Sequence, residues 1–155
     1  MLRTLALVLL TATAPNAEEA PVLAKINATS GSLPPPYAWS VVISIGTDGL
    51  VSVTRCKGYE TEGPACKTGT ATTTPEALEA IRLGARASGL ATRPARSLDP
   101  PMVGGGSISG TVHVDGQTID LVAQPVPEDA NRVTTLIELI GGVVPAELDP
   151  ILSGD

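Results

Sequence analysis

Two stretches of the chain alternate strictly between apolar and polar residues, and each reverses direction at an Asp-Gly dipeptide. In the first, residues 39–45 alternate, a turn follows at residues 47–49, and residues 51–53 continue the pattern. In the second, residues 108–114 and 119–123 alternate on either side of the Asp-Gly pair. A period of two places the apolar residues on one face of a strand. Each stretch is therefore predicted to form a β-hairpin with one buried face.

The register that keeps the apolar residues together also sets the length of each turn. In the first hairpin, a two-residue turn would place Ile45 opposite a serine, whereas a three-residue loop with a left-handed Gly49 places it opposite Val51. In the second hairpin, a two-residue turn places Val112 opposite Ile119. We therefore predict a three-residue loop in the first hairpin and a two-residue turn in the second.

A helix is predicted after each hairpin. Thr74 and Pro75 are the residue types that begin a helix, and Gly89 is the type that ends one. The second helix is predicted to start at residues 128–129 and to end at residues 141–142. Both segments carry apolar residues at helical spacing, so both are expected to pack against the sheet.

The order hairpin, helix, hairpin, helix predicts an α+β domain and has the form of an internal duplication. The simplest architecture is ββαββα, a four-stranded antiparallel sheet with two helices on one face and a Ser- and Thr-rich face opposite. Two stacked ββα modules are the alternative. We expect a single domain over residues 37–145 and a tail over residues 146–155.

The amino-terminal residues have the order of a secretory signal peptide. Arg3 is followed by an apolar run at residues 5–10, too short to span a bilayer, and by small residues up to Ala17. An apolar amino-terminal strand of the fold is the alternative interpretation. Residues 18–36, rich in Ala, Ser, Gly and Pro, are predicted to be a flexible leader. We expect an exported protein, periplasmic or extracellular, with no membrane span after processing.

Cys56 and Cys66 are the only two cysteines of the chain. In an exported protein, a close isolated pair favours a structural disulfide, which here would close a loop over residues 57–65. A structural zinc would need two further ligands, and the single histidine, His113, is far away in the sequence. The sequence therefore predicts a disulfide and no metal site.

No arrangement of residues predicts catalysis. His113 is expected on the polar face of the second hairpin, across from Thr118, where an exposed surface role is the usual one. Residues 104–110 fit neither the serine-hydrolase elbow nor the dinucleotide-binding fingerprint. Two acidic pairs, at a hairpin turn and at a helix start, are expected to be structural: Asp115 with Asp120, and Glu128 with Asp129. We expect no enzyme activity, no catalytic residue and no cofactor.

The charge of the chain limits its partners. Ten basic residues stand against sixteen acidic ones, for a formal net charge of -6. Nucleic acids and anionic membranes select for basic surfaces, so neither is an expected partner. The basic residues concentrate in the middle of the chain and the acidic ones in its second half, which predicts a dipolar molecule.

Rigid strands that present short loops are typical of small binding proteins. The candidate binding loops are the Gly-rich segment Gly104, Gly105 and Gly106, and the cystine loop with Tyr59. We therefore expect a small exported binding module, with an accessory or structural envelope protein as the alternative.

Three features of the chain resemble a known family. They are the strand pair around Asp48-Gly49, the helix segment Thr74-Pro75-Glu76-Ala77-Leu78-Glu79-Ala80 that leads to Gly89-Leu90, and the hairpin Thr111-Val112-His113-Val114-Asp115-Gly116-Gln117 before a proline and a last helix. Together they resemble emfourin, the small protein inhibitor of thermolysin-like metallopeptidases, over roughly residues 39–140. The resemblance implies that the expected partner is an exported peptidase, with another envelope protein as the alternative. No binding residue is carried over from it.

We predict that the mature protein begins at Glu18. Cleavage after Ala17 is favoured over cleavage after Ala14, because Pro15 would hinder the peptidase at the earlier site. Mass spectrometry of the exported protein should find this amino terminus. Protein that stays in the cytoplasm with Met1 intact would contradict the expected export.

Overall fold

The computed structural model describes residues 21–154, and the predicted signal peptide at residues 1–17 lies outside this range. The described chain is α+β, with one antiparallel sheet and three α-helices. The strands are β1 (Val22–Thr29), β2 (Trp39–Gly46), β3 (Leu50–Lys57), β4 (Cys66–Thr72), β5 (Ser107–Val114) and β6 (Gln117–Leu121). The helices are α1 (Pro75–Ser88), α2 (Pro127–Gly142) and α3 (Asp149–Ser153). The strand order is β4-β3-β2-β1-β5-β6, so the prediction of a four-stranded sheet was wrong.

Strand β1 is the larger correction, because it lies in the segment that the sequence predicted as a flexible leader. It pairs antiparallel with both β2 and β5, and Ile26 stands opposite Ile43 on one side and Gly110 on the other. The register shifts between Val22 and Ala24, which buries both Leu23 and Ala24. This bulge and the small alanines hide the alternation that identifies a strand.

Strand β4 is the second addition to the sheet. No element was predicted for these residues, because threonine is frequent among them and their apolar contrast is weak. A Cβ at Gly69 would lie 2.2 Å from Cδ1 of Ile151 and 3.1 Å from Cδ2 of Leu148. Gly69 therefore lets the carboxyl-terminal helices pack closely over this edge strand.

Both hairpin registers were predicted correctly. Ile45 stands opposite Val51 in the first hairpin, and Val112 stands opposite Ile119 in the second. The second turn has positive φ at both of its central residues, 52° at Asp115 and 73° at Gly116. This is the geometry of a two-residue turn whose twist matches that of the strands.

Helix α1 begins and ends as the sequence predicted. The Thr74 hydroxyl accepts a 3.2 Å hydrogen bond from the Ala77 N–H, and Gly89 ends the helix in a left-handed conformation. The buried residues of α1 and α2 belong to one core cluster with the apolar face of the sheet. All six strands belong to one sheet, so the alternative of two stacked ββα modules was wrong.

The segment predicted as a tail also joins the fold. A one-turn 3-10 helix at Ala146–Leu148 leads into α3, and Leu148 is buried in the core. Helix α3 is short and contains a proline, so the sequence shows no helical spacing of apolar residues there. The contacts with β3 and β4 stabilise it instead.

The disulfide prediction is confirmed. Cys56 and Cys66 lie directly opposite each other on β3 and β4, with their Cα atoms 4.0 Å apart, and they are bonded. The cystine therefore closes the cystine loop, residues 57–65, at the base of the β3–β4 pair.

We expect the disulfide to stabilise the protein by about 2 to 3 kcal/mol, because it restricts a short loop in the unfolded chain. Urea unfolding of the double variant Cys56→Ser/Cys66→Ser should show this loss relative to the parent protein. A thiol assay on denatured, unreduced parent protein should find no free thiol. Two titratable thiols would contradict the prediction.

Candidate functional site

Three long connections meet at one end of the sheet, because antiparallel strands place alternate connections at the same end. We call this surface the loop end, and define it as residues 30–38, 58–65 and 98–106. The sequence-predicted loop residues Gly104, Gly105, Gly106 and Tyr59 all lie in it. The opposite end carries the two short hairpin turns.

The loops of the loop end contact one another closely. The Tyr59 hydroxyl donates a hydrogen bond to the carbonyl of Leu33, which joins the cystine loop to residues 30–38. A Cβ at Gly31 would lie 1.7 Å from the carbonyl oxygen of Gly105. This approach brings the Gly-rich segment against residues 30–38, and only glycine at position 31 permits it.

Exposed apolar side chains concentrate at the loop end. Val103 is fully exposed at 102 % and Tyr37 is 71 % exposed. The members of this apolar cluster are Leu33, Tyr37, Tyr59, Met102 and Val103. Sequence reasoning found only Tyr59 among them. The available clue for the others was an apolar residue next to prolines or glycines in a segment without periodicity.

Two anchors position the loops that carry these side chains. The Gln124 side chain accepts a 2.7 Å hydrogen bond from the Met102 N–H and donates a 3.0 Å bond to the Met102 carbonyl. The Ser30 hydroxyl accepts a 3.0 Å bond from the Trp39 N–H, which closes the base of residues 30–38. Neither Gln124 nor Ser30 was singled out from the sequence, because each role depends on a distant backbone group.

A cleft of about 210 Å³ opens beside the apolar cluster. Tyr59 and Trp39 supply aromatic surface, and the polar part of the lining consists of Ser and Thr residues and Glu60. These groups can donate and accept hydrogen bonds next to an aromatic face, which suits an extended polypeptide segment.

Buried Asp129 anchors the long connection between α1 and β5. Its side chain accepts a 3.0 Å hydrogen bond from the Arg96 N–H and a 2.6 Å bond from Arg132 Nη2. Arg132 Nη1 also donates to the carbonyls of Ser88 and Arg93. The Arg96 N–H and then the Arg132 guanidinium hold the pKa of Asp129 below its usual range. This carboxylate therefore has a structural role, as the sequence predicted.

In the other acidic pair, Asp115 with Asp120, the carboxylate of Asp115 also has an arginine partner. Arg86 makes hydrogen bonds of 2.8 and 2.9 Å to the two carboxylate oxygens of Asp115, and these bonds hold the pKa of Asp115 below its usual range. Arg82 and Arg86 also pair with Glu79. Nearby carboxylates offset the positive charges of Arg82 and Arg86. These two arginines therefore contribute little to the molecular dipole that the sequence predicted.

His113 lies where the sequence placed it. It is exposed on the polar face, and its Nδ1 is 3.0 Å from the Thr118 hydroxyl. Within residues 21–154, no group of three or more His, Cys, Asp or Glu side chains could hold a metal ion. In the same range, none of the helices has the length and apolar character needed to cross a bilayer.

Comparison with protein-family models and with curated proteins finds no match to this sequence. The resemblance to emfourin therefore stays a prediction.

We predict that Asp129→Asn destabilises the protein more at neutral pH than in acid. A carboxylate with a lowered pKa stabilises the fold above its unfolded pKa, near 4, and this contribution is lost as the pH falls through the folded pKa. Urea unfolding should give the free energies of unfolding of the variant and of the parent across this pH range. The difference between the two should become smaller in acid. The control Asp120→Asn, at an exposed residue, should change the free energy of unfolding little. An equal loss of stability in both variants would contradict the structural role of Asp129.

Proposed function

We propose that the protein is an exported binding module whose loop end binds a partner protein, and that the partner is a peptidase of the thermolysin-like class. The observation that carries this proposal is the apolar cluster, in which five of the exposed large apolar side chains lie at one end of the sheet. Isolated exposed apolar residues need no explanation, but a contiguous group marks an interaction site.

The construction of the loop end supports tight binding. The cystine, the Tyr59 hydrogen bond and the Gln124 anchor hold the loops before any partner arrives. A preorganised loop loses less conformational entropy on binding than a mobile one. Tyrosine and methionine are also enriched at the centres of protein interfaces, where charged residues are depleted.

Two of the three loops carry little charge, which supports an apolar contact at the centre of the interface, while the cystine loop carries Glu60 and Glu62. Residues 30–38 carry no ionisable acid or base other than Tyr37, and residues 98–106 carry Asp99 alone. The partner class rests on the emfourin resemblance and on shape. Loops that project from the end of a sheet and are fixed by internal contacts can enter the cleft of a peptidase.

We predict that the mature protein inhibits a thermolysin-like metallopeptidase at micromolar concentration or below. Val103→Ser and Tyr37→Ser should each raise the inhibition constant about tenfold or more, because both remove exposed apolar contacts at the proposed centre of the interface. Steady-state inhibition assays measure this. The control Leu83→Ser removes an exposed apolar side chain from α1 and should leave the constant unchanged, as should His113→Ala.

Absence of inhibition across a panel of secreted metallopeptidases would overturn the inhibitor assignment and leave the accessory envelope protein as the favoured function. A turnover activity that His113→Ala abolishes would contradict the proposal of a binding module altogether.

A further inference from the structure

An apolar groove opens on the helix-bearing face of the sheet. It lies between α2 and α3, over the part of β1 and β2 that neither helix covers. Its volume is about 330 Å³, within the usual range for small-molecule sites. The apolar groove is lined mainly by hydrocarbon: Ile26, Ala28, Trp39, Val41, Ile43, Ile108, Ile137, Gly141 and Leu152, with Arg55 and Glu138 as its charged members.

A basic pocket adjoins this groove. It has a volume of about 140 Å³ and contains the side chains of Arg55, Lys57 and Lys67 beside Gly154. Arg55 lines both cavities, so its side chain lies at the boundary between them. Arg55 and Lys57 are the cations of this pocket on which an anion site would depend, in a chain whose net charge is -6.

Arg55 is fixed at the boundary between hydrocarbon and positive charge. Its guanidinium lies 4.8 Å from the centre of the Trp39 ring, and its Nη1 donates a 2.6 Å hydrogen bond to the Leu152 carbonyl. Within the described chain, a π face and a carbonyl hold this side chain, rather than a carboxylate. Its positive charge is therefore available to an anion.

We propose that the apolar groove and the basic pocket form one site for a single-chain amphiphile with an anionic head, of the fatty-acid class. The hydrocarbon chain would lie against Trp39 and Ile108, and the carboxylate would meet Arg55 and Lys57. Glu138 sets the orientation of the amphiphile, because the negative charge of Glu138 repels an anionic head group placed beside it. This site adjoins the loop end, because Pro64 and Ala65 line the basic pocket and Trp39 also lines the loop-end cleft. Its ligand chemistry does not depend on the peptidase proposal.

Burial of hydrocarbon and pairing of charge make different predictions. Each added methylene should strengthen binding roughly fourfold until the groove is full. Removal of the Arg55 charge should weaken an anionic ligand about tenfold. A cationic amphiphile with the same tail should bind through burial of its hydrocarbon chain alone. It should therefore bind more weakly than the anionic amphiphile.

Trp39, the single tryptophan of the chain, lines the groove and supplies the probe. Dodecanoate, added below its micelle concentration to the full mature protein, should change the Trp39 emission saturably. Octanoate should bind more weakly, and dodecyltrimethylammonium more weakly than dodecanoate. Calorimetry should give the same affinities without relying on Trp39.

Variants separate this site from general hydrophobic adsorption. Ile108→Ser should weaken every ligand, and Lys57→Gln and Arg55→Gln should weaken dodecanoate selectively. Leu50→Ser, at an exposed apolar residue outside the groove, is the matched control and should have no effect. Melting curves must show that each variant is folded, and Lys57→Gln keeps the test valid if Arg55→Gln is not, because Lys57 is exposed.

Three results would overturn the proposal. They are the absence of saturable heat with dodecanoate, equal binding of the anionic and cationic amphiphiles, and equal loss in Leu50→Ser and Ile108→Ser. Peptidase inhibition is measured separately, so the failure of either assignment leaves the other intact.

Discussion

The backbone pairing of β1 with both β2 and β5 is the interaction on which the rest of the structure depends. The two hairpins have no direct ladder with each other, and β1 joins them into one sheet. A single two-stranded hairpin is only marginally stable in water, so each hairpin needs this central strand. Once the six strands form one apolar face, α1 and α2 can bury their apolar stripes against it.

The same antiparallel order divides the molecule into a simple end and a complex one. The short turns lie together at one end, while the three long connections and most of the exposed apolar side chains lie at the other. Because those connections are fixed by a cystine, a side-chain amide and close glycine contacts, exposed apolar groups are presented in one arrangement. This arrangement is the basis for the proposal that the loop end binds a partner protein.

Charge is distributed between local pairs and one positive pocket. The arginines of α1 and of the connection after it meet carboxylates on the same side of the molecule, so their fields are largely cancelled. Arg55 differs because its neighbours are a ring and a carbonyl. The basic pocket beside a hydrocarbon groove is therefore a property of the folded arrangement, although the net charge of the chain is negative.

The sequence by itself determined those features that depend on near neighbours. The two hairpin registers, the ends of α1, the disulfide and the exposed position of His113 follow from alternation, turn chemistry and spacing within short segments. Only the tertiary structure decided the roles of β1, β4 and α3, and with them the loop end and the apolar groove. Alanine and threonine strands have little apolar contrast of their own, and α3 is too short to form alone. Such segments take their structure from partners far away in the sequence, and so do Gln124 and Arg55, whose functional contacts exist only after the chain has folded.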